Sequence, residues 1–437
     1  MRVLLLSTYD LGRQPFGLAS PAAWLARAGV EVVARDLSRD RLDEGDVARA
    51  TLIAFYLPMH TATRLAVPIV DRIRSLNPSA TIAAYGLYAR LSETLLREHG
   101  VTVVLGPEAE ADLVKLATGG EIEAASALPR LAFVTPQRGG LPSLSRYASL
   151  MMPDGTRRIA GSTDASRGCK HRCRHCPIVP IYDGHFRVVS PEVVLADVDQ
   201  QIAAGAEHIT FGDPDFFNGP RHARRIVETL HARHPALTYD VTIKVEHLLR
   251  HAELLPVLAQ TGCLFITSAV ESIDDEVLKK LEKGHSRADF ISAVQLCAEA
   301  GVRLTPTFVA FTPWTTLEGY VDLLRTVESL GLVDHVAPVQ WGLRLLITEG
   351  SRLLELADIR SGIGGFDART LTYPWRHADP RVDDLQAALM RAVGVQGARS
   401  RRDVFDDVCY LSGFTRERVA GIPARTSIPY LNEPWYC

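Results

Sequence analysis

Short β-branched and apolar runs alternate with segments whose apolar residues recur at helical spacing through the first part of the chain. That rhythm predicts repeated strand-helix units on a parallel sheet. Strands are expected at Val3–Ser7, Glu31–Ala34, Thr51–Phe55, Thr81–Tyr85 and Thr102–Leu105, and helices at Pro21–Ala28, Thr63–Ser75, Leu91–Glu98 and Glu108–Leu116. Gly29, Pro78 and Gly100 supply stop signals. Residues 1–125 thus read as a small doubly wound α/β domain. Its ligand loops lie beyond the carboxyl ends of the strands, at Thr8–Gly17, Tyr56–Thr61 and Gly86–Ala89. Over 126–160 Pro129, Gly139-Gly140, Pro142 and Pro153 interrupt every run, as in a connector. A second series over 161–350 has strands at His208–Phe211, Tyr239–Ile243, Cys263–Ala269, Arg303–Phe308 and Val336–Gln340. With helices at Pro191–Ala204, Ala223–Arg233, Asp275–Leu281 and Ala288–Ala300, it predicts a closed or partly closed (β/α) barrel. Residues 351–437 read as a helical and irregular C-terminal region.

Composition narrows the function classes. Apolar residues at 47% and charged residues at 23% fit a folded globular chain rather than a disordered one. The 48 Lys+Arg against 51 Asp+Glu give a net charge of −3, which excludes binding of nucleic acid through bulk charge, so no nucleic-acid partner is expected. The N-terminal apolar run, Val3 to Leu6, is too short for a signal peptide, and no stretch approaches the ~20 apolar residues of a membrane span. Seven cysteines, an odd number without a regular framework, argue against a disulfide-stapled fold. A cytoplasmic protein with no membrane partner is the expectation.

Three of those cysteines fall within eight residues, Cys169-Lys170-His171-Arg172-Cys173-Arg174-His175-Cys176. Three thiolates at this spacing fit one [4Fe–4S] cube and leave its fourth iron open to an exchangeable ligand. Two other readings stand beside it: a zinc site completed by His171, His175 or His185, and a redox pair formed by Cys173 and Cys176. The basic neighbours Lys170, Arg172 and Arg174 favour thiolate and offset an anionic cluster if they face it; otherwise they are solvated loop charges. Cys263 and Cys297 sit at core spacing, and Cys409 is unassigned.

The Cys-x₃-Cys-x₂-Cys loop at the start of a barrel resembles the signature of radical S-adenosylmethionine (radical SAM) enzymes. The resemblance implies that SAM chelates the open iron and is reductively cleaved to a 5′-deoxyadenosyl radical. Phe211-Gly212-Asp213-Pro214-Asp215-Phe216 resembles the family segment that holds the SAM amino group, which makes Gly212, Asp213 and Pro214 cofactor-binding candidates. Ser268-Ala269-Val270-Glu271-Ser272 resembles the stretch that places a polar residue on SAM. Ser268, Glu271 and Ser272 are its candidates, with Glu271 also the candidate catalytic residue. Lys244 and Arg344, each after a predicted strand, are further candidates, Lys244 for a carboxylate or else an exposed strand-end lysine, and Arg344 for the SAM carboxylate or the substrate. A helix-cap or turn role for either Asp or for Glu271 is the alternative.

A Rossmann-like domain ahead of such a barrel resembles the cobalamin-binding radical SAM subclass. The first strand is followed by no G-x-G-x-x-G, which disfavours a dinucleotide, and by no Asp-x-His-x-x-Gly, so a corrin would lack a histidine lower ligand from that loop. Leu11, Gly12 and Gln14 in the first loop and Gly86 after the fourth strand are the corrin candidates, and His60 is a further residue placed to approach the ring. The tail resembles radical SAM proteins that end in Cys-Cys or Cys-selenocysteine followed by Ala-Glu-Pro. Cys437 is therefore expected to precede a selenocysteine codon read as stop, and to serve as a second catalytic group.

The fold expected is a Rossmann-like cobalamin-type domain, a radical SAM partial barrel and a C-terminal region, carrying a [4Fe–4S] cluster, SAM and cobalamin. The expected reaction is methyl transfer to a small-molecule or natural-product precursor, with an external electron donor such as flavodoxin or ferredoxin. Two alternatives remain. One is a cobalamin-free radical SAM enzyme that catalyses rearrangement or transfers another SAM-derived group, for example to arsenic. The other is a non-catalytic iron–sulfur or zinc sensor.

Overall fold

The computed structural model describes residues 1–122, 128–394, 399–415 and 428–433. Cys437 lies outside the described residues. The N-terminal strands are β1 (Arg2–Ser7), β2 (Glu31–Asp36), β3 (Leu52–Tyr56), β4 (Thr81–Tyr85) and β5 (Val103–Val104), all parallel and ordered β2-β1-β3-β4-β5. Their near-continuous apolar character has a direct cause, since both faces of the sheet are covered. Leu4 and Leu6 of β1 pack into one apolar cluster, and Val3 and Leu5 into another on the opposite face. The order reverses between β1 and β3, so the loops after these strands splay apart and leave a crevice.

Two expected helices extend past internal prolines. Phe16–Arg27 contains Pro21 and His60–Leu76 contains Pro68, while the expected Leu91–Glu98 helix is two pieces, Leu87–Leu91 and Glu93–Glu98, broken at Ser92. His60 does not approach the crevice. Its Nε2 meets the Thr370 carbonyl, tying the start of its helix to the C-terminal region.

The second sheet is made of β6 (Ser149–Met151), β7 (Arg157–Thr163), β10 (His208–Phe211), β11 (Thr238–Thr242), β12 (Cys263–Glu271), β13 (Arg303–Phe308) and β14 (Tyr430–Leu431), between which β8 (Ser166–Gly168) and β9 (Phe186–Val188) form a separate hairpin. The order is β13-β12-β11-β10-β7-β6-β14, with β7 and β10–β13 parallel and β6 and β14 antiparallel additions. The barrel is therefore partial. The expected connector also needs correction: 126–160 supplies β6 and most of β7, an antiparallel ribbon whose polar residues Arg157 and Arg158 hid it. The expected strand at Val336–Gln340 is replaced by 3-10 turns, Val333–His335 and Pro338–Trp341, because this apolar run fills the core end-on: Val336 and Trp341 are buried there and Gln340 Oε1 accepts from Phe308 N–H at 2.8 Å.

The two units are locked by buried polar groups. Arg138 donates to Asp197 at 2.7 and 2.8 Å, to the Ser162 carbonyl at 2.6 Å and to Gln14 Oε1 at 2.9 Å. Gln14 also donates to the Pro142 carbonyl at 2.9 Å. Gln14 is thus an interdomain pin rather than a ligand group: both ends of its amide are occupied. Among the described residues no helix is long and apolar enough to cross a membrane.

Candidate active site

The cysteine loop runs between β8 and β9 and is held by its backbone. Cys169 N–H donates to the His185 carbonyl at 3.1 Å, Lys170 N–H to Asn218 Oδ1 at 3.2 Å, and Arg174 N–H to the Leu281 carbonyl at 2.9 Å. Arg172 pairs with Asp183 at 2.6 Å and Arg174 with Glu282 at 2.7 Å, so both guanidiniums brace the loop from outside. Burial pushes the Cys169 thiol up to about 11 and the Cys176 thiol up to about 12, leaving both protonated near neutrality until a metal centre displaces the proton. Cys263, Cys297 and Cys409 are buried in the barrel core, so among the described residues three thiols face this loop. Among the described residues, donor atoms of three His, Cys, Asp or Glu residues close within 4.8 Å of one another at one place, His171–Asp215–His247. The cysteines are not part of it. Three thiols on which no histidine or carboxylate donor closes among the described residues suit a cube with one open iron better than a four-coordinate zinc ion.

Beside the loop, the carboxyl ends of β11 and β12 present a charged cluster. Glu271 closes β12 at a register shift with φ +69°, a left-handed conformation that is strained for a glutamate. That turn brings its carboxylate to 3.2 Å from His175 Nε2 and 3.4 Å from Lys283 Nζ. Against the upward push of burial, the Lys283 ammonium and then His175 hold the Glu271 carboxyl at about 2. Lys244 approaches His171 Nδ1 at 3.2 Å and Glu246 at 3.4 Å. Ser268 is fully buried one turn of strand earlier, its hydroxyl without a partner.

Other expected site residues stand elsewhere. Asp213 is turned back into the β8 segment, accepting from Ala165 N–H at 2.9 Å and Ser166 Oγ at 2.6 Å; burial pushes its carboxyl up to about 7. Ser272 Oγ accepts from Asp274 N–H at 3.0 Å and so caps its own turn. Arg344 stacks on Trp375 at 3.5 Å and pairs with Asp383 at 2.7 Å, which spends its guanidinium on the C-terminal region. Gly12 faces the Glu433 carboxylate, with which a β-carbon there would collide.

A cavity of about 360 Å³ separates the two units. Leu11, Tyr56, Gly86 and Leu87 of the strand-end loops form one wall, and Asp164, Arg167, Gly168, Gly212 and Pro214 the other. Glycine is required at 212 because a β-carbon there would collide with Asp164 Oδ1. Arg167, two residues before Cys169, reaches across to Glu108 at 3.1 Å and Glu110 at 2.8 Å. Tyr182 Oη donates to Glu108 at 2.7 Å, and the guanidinium lies over the Phe16 and Phe133 rings at 5.0 and 4.8 Å. Burial pushes the Asp10 carboxyl up to about 7 with Arg13 opposing, and raises Glu108. Sequence reasoning gave no site role to Asp10, Asp164, Arg167, Glu108 or Glu110, and met Lys283 only as part of the stretch that follows Glu271. The adjacency of Arg167 to Cys169 was the one available signal.

The sequence profile of the radical SAM superfamily matches residues 164–326, from the loop after β7 to the helix after β13. Those residues are a radical SAM domain. Over 332 residues the chain is 25% identical to hopanoid C-3 methylase of Methylococcus capsulatus, covering 71% of this chain and 64% of that one. It is 23% identical over 298 residues to a tRNA-2-methylthio-N(6)-dimethylallyladenosine synthase of Deinococcus radiodurans, covering 60% of this chain and 53% of that one. The chain thus spans less than two thirds of either relative's length. In fold, radical SAM domain and N-terminal unit together are similar to the cobalamin-dependent SAM radical enzyme OxsB, with TM-score 0.73 and 16% identity over 94% of this chain and 71% of that one. The radical SAM methyltransferase TsrM of Kitasatospora setae, solved with tryptophan and a SAM analogue, gives TM-score 0.72 and 17% identity over 90% and 89%.

Proposed function

We propose that this protein is a radical SAM enzyme that carries a [4Fe–4S] cluster on Cys169, Cys173 and Cys176, binds cobalamin in the interdomain cavity, and transfers a methyl group from SAM to a small-molecule acceptor. One observation carries the reading: the strand-end loops of a doubly wound domain and the cluster strand of a radical SAM domain are opposite walls of one cavity. The similar proteins OxsB and TsrM, which bind cobalamin, and the hopanoid methylase support it.

The residues present fit these groups. Three soft sulfur donors, with no fourth beside them among the described residues, suit a cube with one open iron. The corrin wall is apolar and backbone-rich, with polar edges at Asp10, Arg13 and Ser162 for amide side chains. When bound, the cluster supplies the electron that splits SAM, and cobalamin supplies methyl-carrier chemistry. The chain's own part is to bind, orient and exclude water. Lys244 and Lys283 are buried cations available to the SAM carboxylate, and ionised Glu271 is the acceptor available to its ammonium or ribose hydroxyls. An external one-electron donor of the flavodoxin or ferredoxin type completes the proposal.

Glu271→Gln keeps the shape and removes the charge. SAM binding is expected to weaken by about 10- to 100-fold, the ~1.5–3 kcal/mol of a charge-assisted contact, with iron content unchanged. Equilibrium dialysis against labelled SAM reads it. Leu87→Trp puts an indole into the corrin wall, where overpacking is expected to weaken cobalamin binding by at least about tenfold while the iron count holds.

The test of the reaction is turnover with methyl-labelled SAM under anaerobic reduction and supplied cobalamin. Formation of 5′-deoxyadenosine, methionine and S-adenosylhomocysteine is expected. Absence of S-adenosylhomocysteine would replace methyl transfer by a cobalamin-free radical reaction, and absence of all three would leave a sensor.

A further inference from the structure

His171 lies inside the cysteine loop, Asp215 at the turn after β10, and His247 on the Val245–Arg250 helix after β11. The sequence brought none of them together, and the proposed methyl transfer uses none. One donor atom of each lies within 4.8 Å of the other two. His247 Nδ1 is 2.6 Å and His171 Nε2 is 3.4 Å from the same oxygen, Asp215 Oδ2. The imidazole rings are tilted toward each other with centroids 4.6 Å apart.

Burial makes this arrangement demanding. His247 and Asp215 side chains are 0% and 1% exposed, and His171 is 13% exposed. Yet His171 Nε2, Asp215 Oδ2 and both ring nitrogens of His247 have no aligned hydrogen-bond partner. Both imidazoles reach Asp215 Oδ2 only as contacts without hydrogen-bond alignment, and buried polar atoms left so are rare in native interiors and are satisfied by a bound cation. Three donor atoms of metal-ligating type within 4.8 Å of one another are spaced as ligands of a single ion.

We infer that His171, Asp215 and His247 form a mononuclear zinc site. Two imidazole nitrogens and one carboxylate oxygen are borderline donors of the zinc class, and three protein ligands leave one position for water. The surrounding contacts fit. Asp215 Oδ1 accepts from Phe217 N–H at 3.1 Å, which leaves Oδ2 for the metal. Glu246 Oε2, 3.5 Å from His171 Nδ1, is the carboxylate acceptor for the other N–H of a metal-bound imidazole, provided that the Lys244 ammonium, 3.2 Å from the same nitrogen, is held by Glu246 at 3.4 Å instead. The zinc ties the first half of the cysteine loop to the ends of β10 and β11, fixing where Cys169 and Cys173 stand relative to the sheet.

The experiment is metal analysis of the full-length protein reconstituted anaerobically with iron, sulfide and zinc, then desalted. One zinc per chain is expected in addition to the cluster iron. Zinc should fall to background in His247→Gln and in Asp215→Asn, which keeps the helix-cap oxygen, while both variants retain the wild-type iron count and thermal transition. Zinc-edge X-ray absorption on the unsubstituted holoprotein gives an independent reading, with a nitrogen and oxygen shell expected. A sulfur shell would mean zinc in the cysteine site and would overturn the inference. So would the absence of zinc from protein that holds its full iron, in which case Lys244 donates to His171 Nδ1 and the triad is a hydrogen-bonded brace. Because iron is counted in the same samples, loss of the cluster reading and loss of the zinc reading are distinguishable.

Discussion

Cys173→Ala is expected to abolish both iron–sulfur assembly and SAM cleavage. Cys173 is the middle and most buried of the three ligands, 7% exposed. Removing it leaves two sulfurs at the ends of an eight-residue span that cannot anchor a cube. The neighbouring thiols are costly to ionise, pushed up to about 11 and about 12 by burial, and only a full set of iron–sulfur bonds offsets that cost. Iron should fall from roughly four per chain to well below one, and 5′-deoxyadenosine formation by more than about 100-fold. Cys297→Ala is the contrast. Cys297 is a core residue of the Arg287–Glu299 helix, so its loss is expected to cost ~1 kcal/mol of stability and leave the iron count intact. Iron retained in Cys173→Ala, or lost in Cys297→Ala, would refute the assignment.

Arg167→Met is expected to be the most damaging single change away from the cysteines. Its guanidinium is the cation shared by Glu108 and Glu110, whose side chains are 0% and 2% exposed. Methionine keeps much of the volume over Phe16 and Phe133 but strands two buried carboxylates. Breaking a buried pair from one side costs ~3–5 kcal/mol, enough to lower the melting temperature by several degrees. The pH dependence has a definite sign. Burial already raises Glu108, and Arg167 is the leading influence lowering it, so its removal raises the folded-state pKa further. An acid whose folded pKa exceeds its unfolded one contributes most when protonated; the variant should regain stability as pH falls and lose it as pH rises. Cavity geometry should suffer too, since Arg167 joins the cluster strand to the helix that begins at Glu110. A shift below ~1 kcal/mol by calorimetry, or a variant that stabilises with rising pH, would contradict this account.

The strands were legible because they are buried on both faces, so their apolar runs are continuous and bounded by Gly and Pro; β4, β10 and β13 match their expected spans residue for residue. The ribbon β6–β7 was not, since an antiparallel pair near the end of the sheet carries an exposed arginine, Arg157, and a half-buried one, Arg158, in its run. Apolar character alone also cannot separate a strand from a buried turn, which is why Val336–Gln340 read wrongly. At the site, the cysteine spacing is a local property and was readable. Glu271 was readable through its motif, though its left-handed backbone was not. What could not be read are partners far apart in the chain: Arg167 with Glu110 across 57 positions, His175 with Glu271 across 96, and Gln14 with Arg138 across 124. Arg344 and Gln14 looked free in sequence because the groups that occupy them arrive only with the tertiary fold.

The central claim is that the cavity between the two units takes a corrin, and that the cysteine loop following its wall strand β8 carries the cluster. It is tested most directly by counting metals in the full-length protein isolated anaerobically with cobalamin supplied. About four irons and one cobalt per chain are expected. Full iron without cobalt would remove cobalamin from the account, and iron well short of four would contradict the cluster itself.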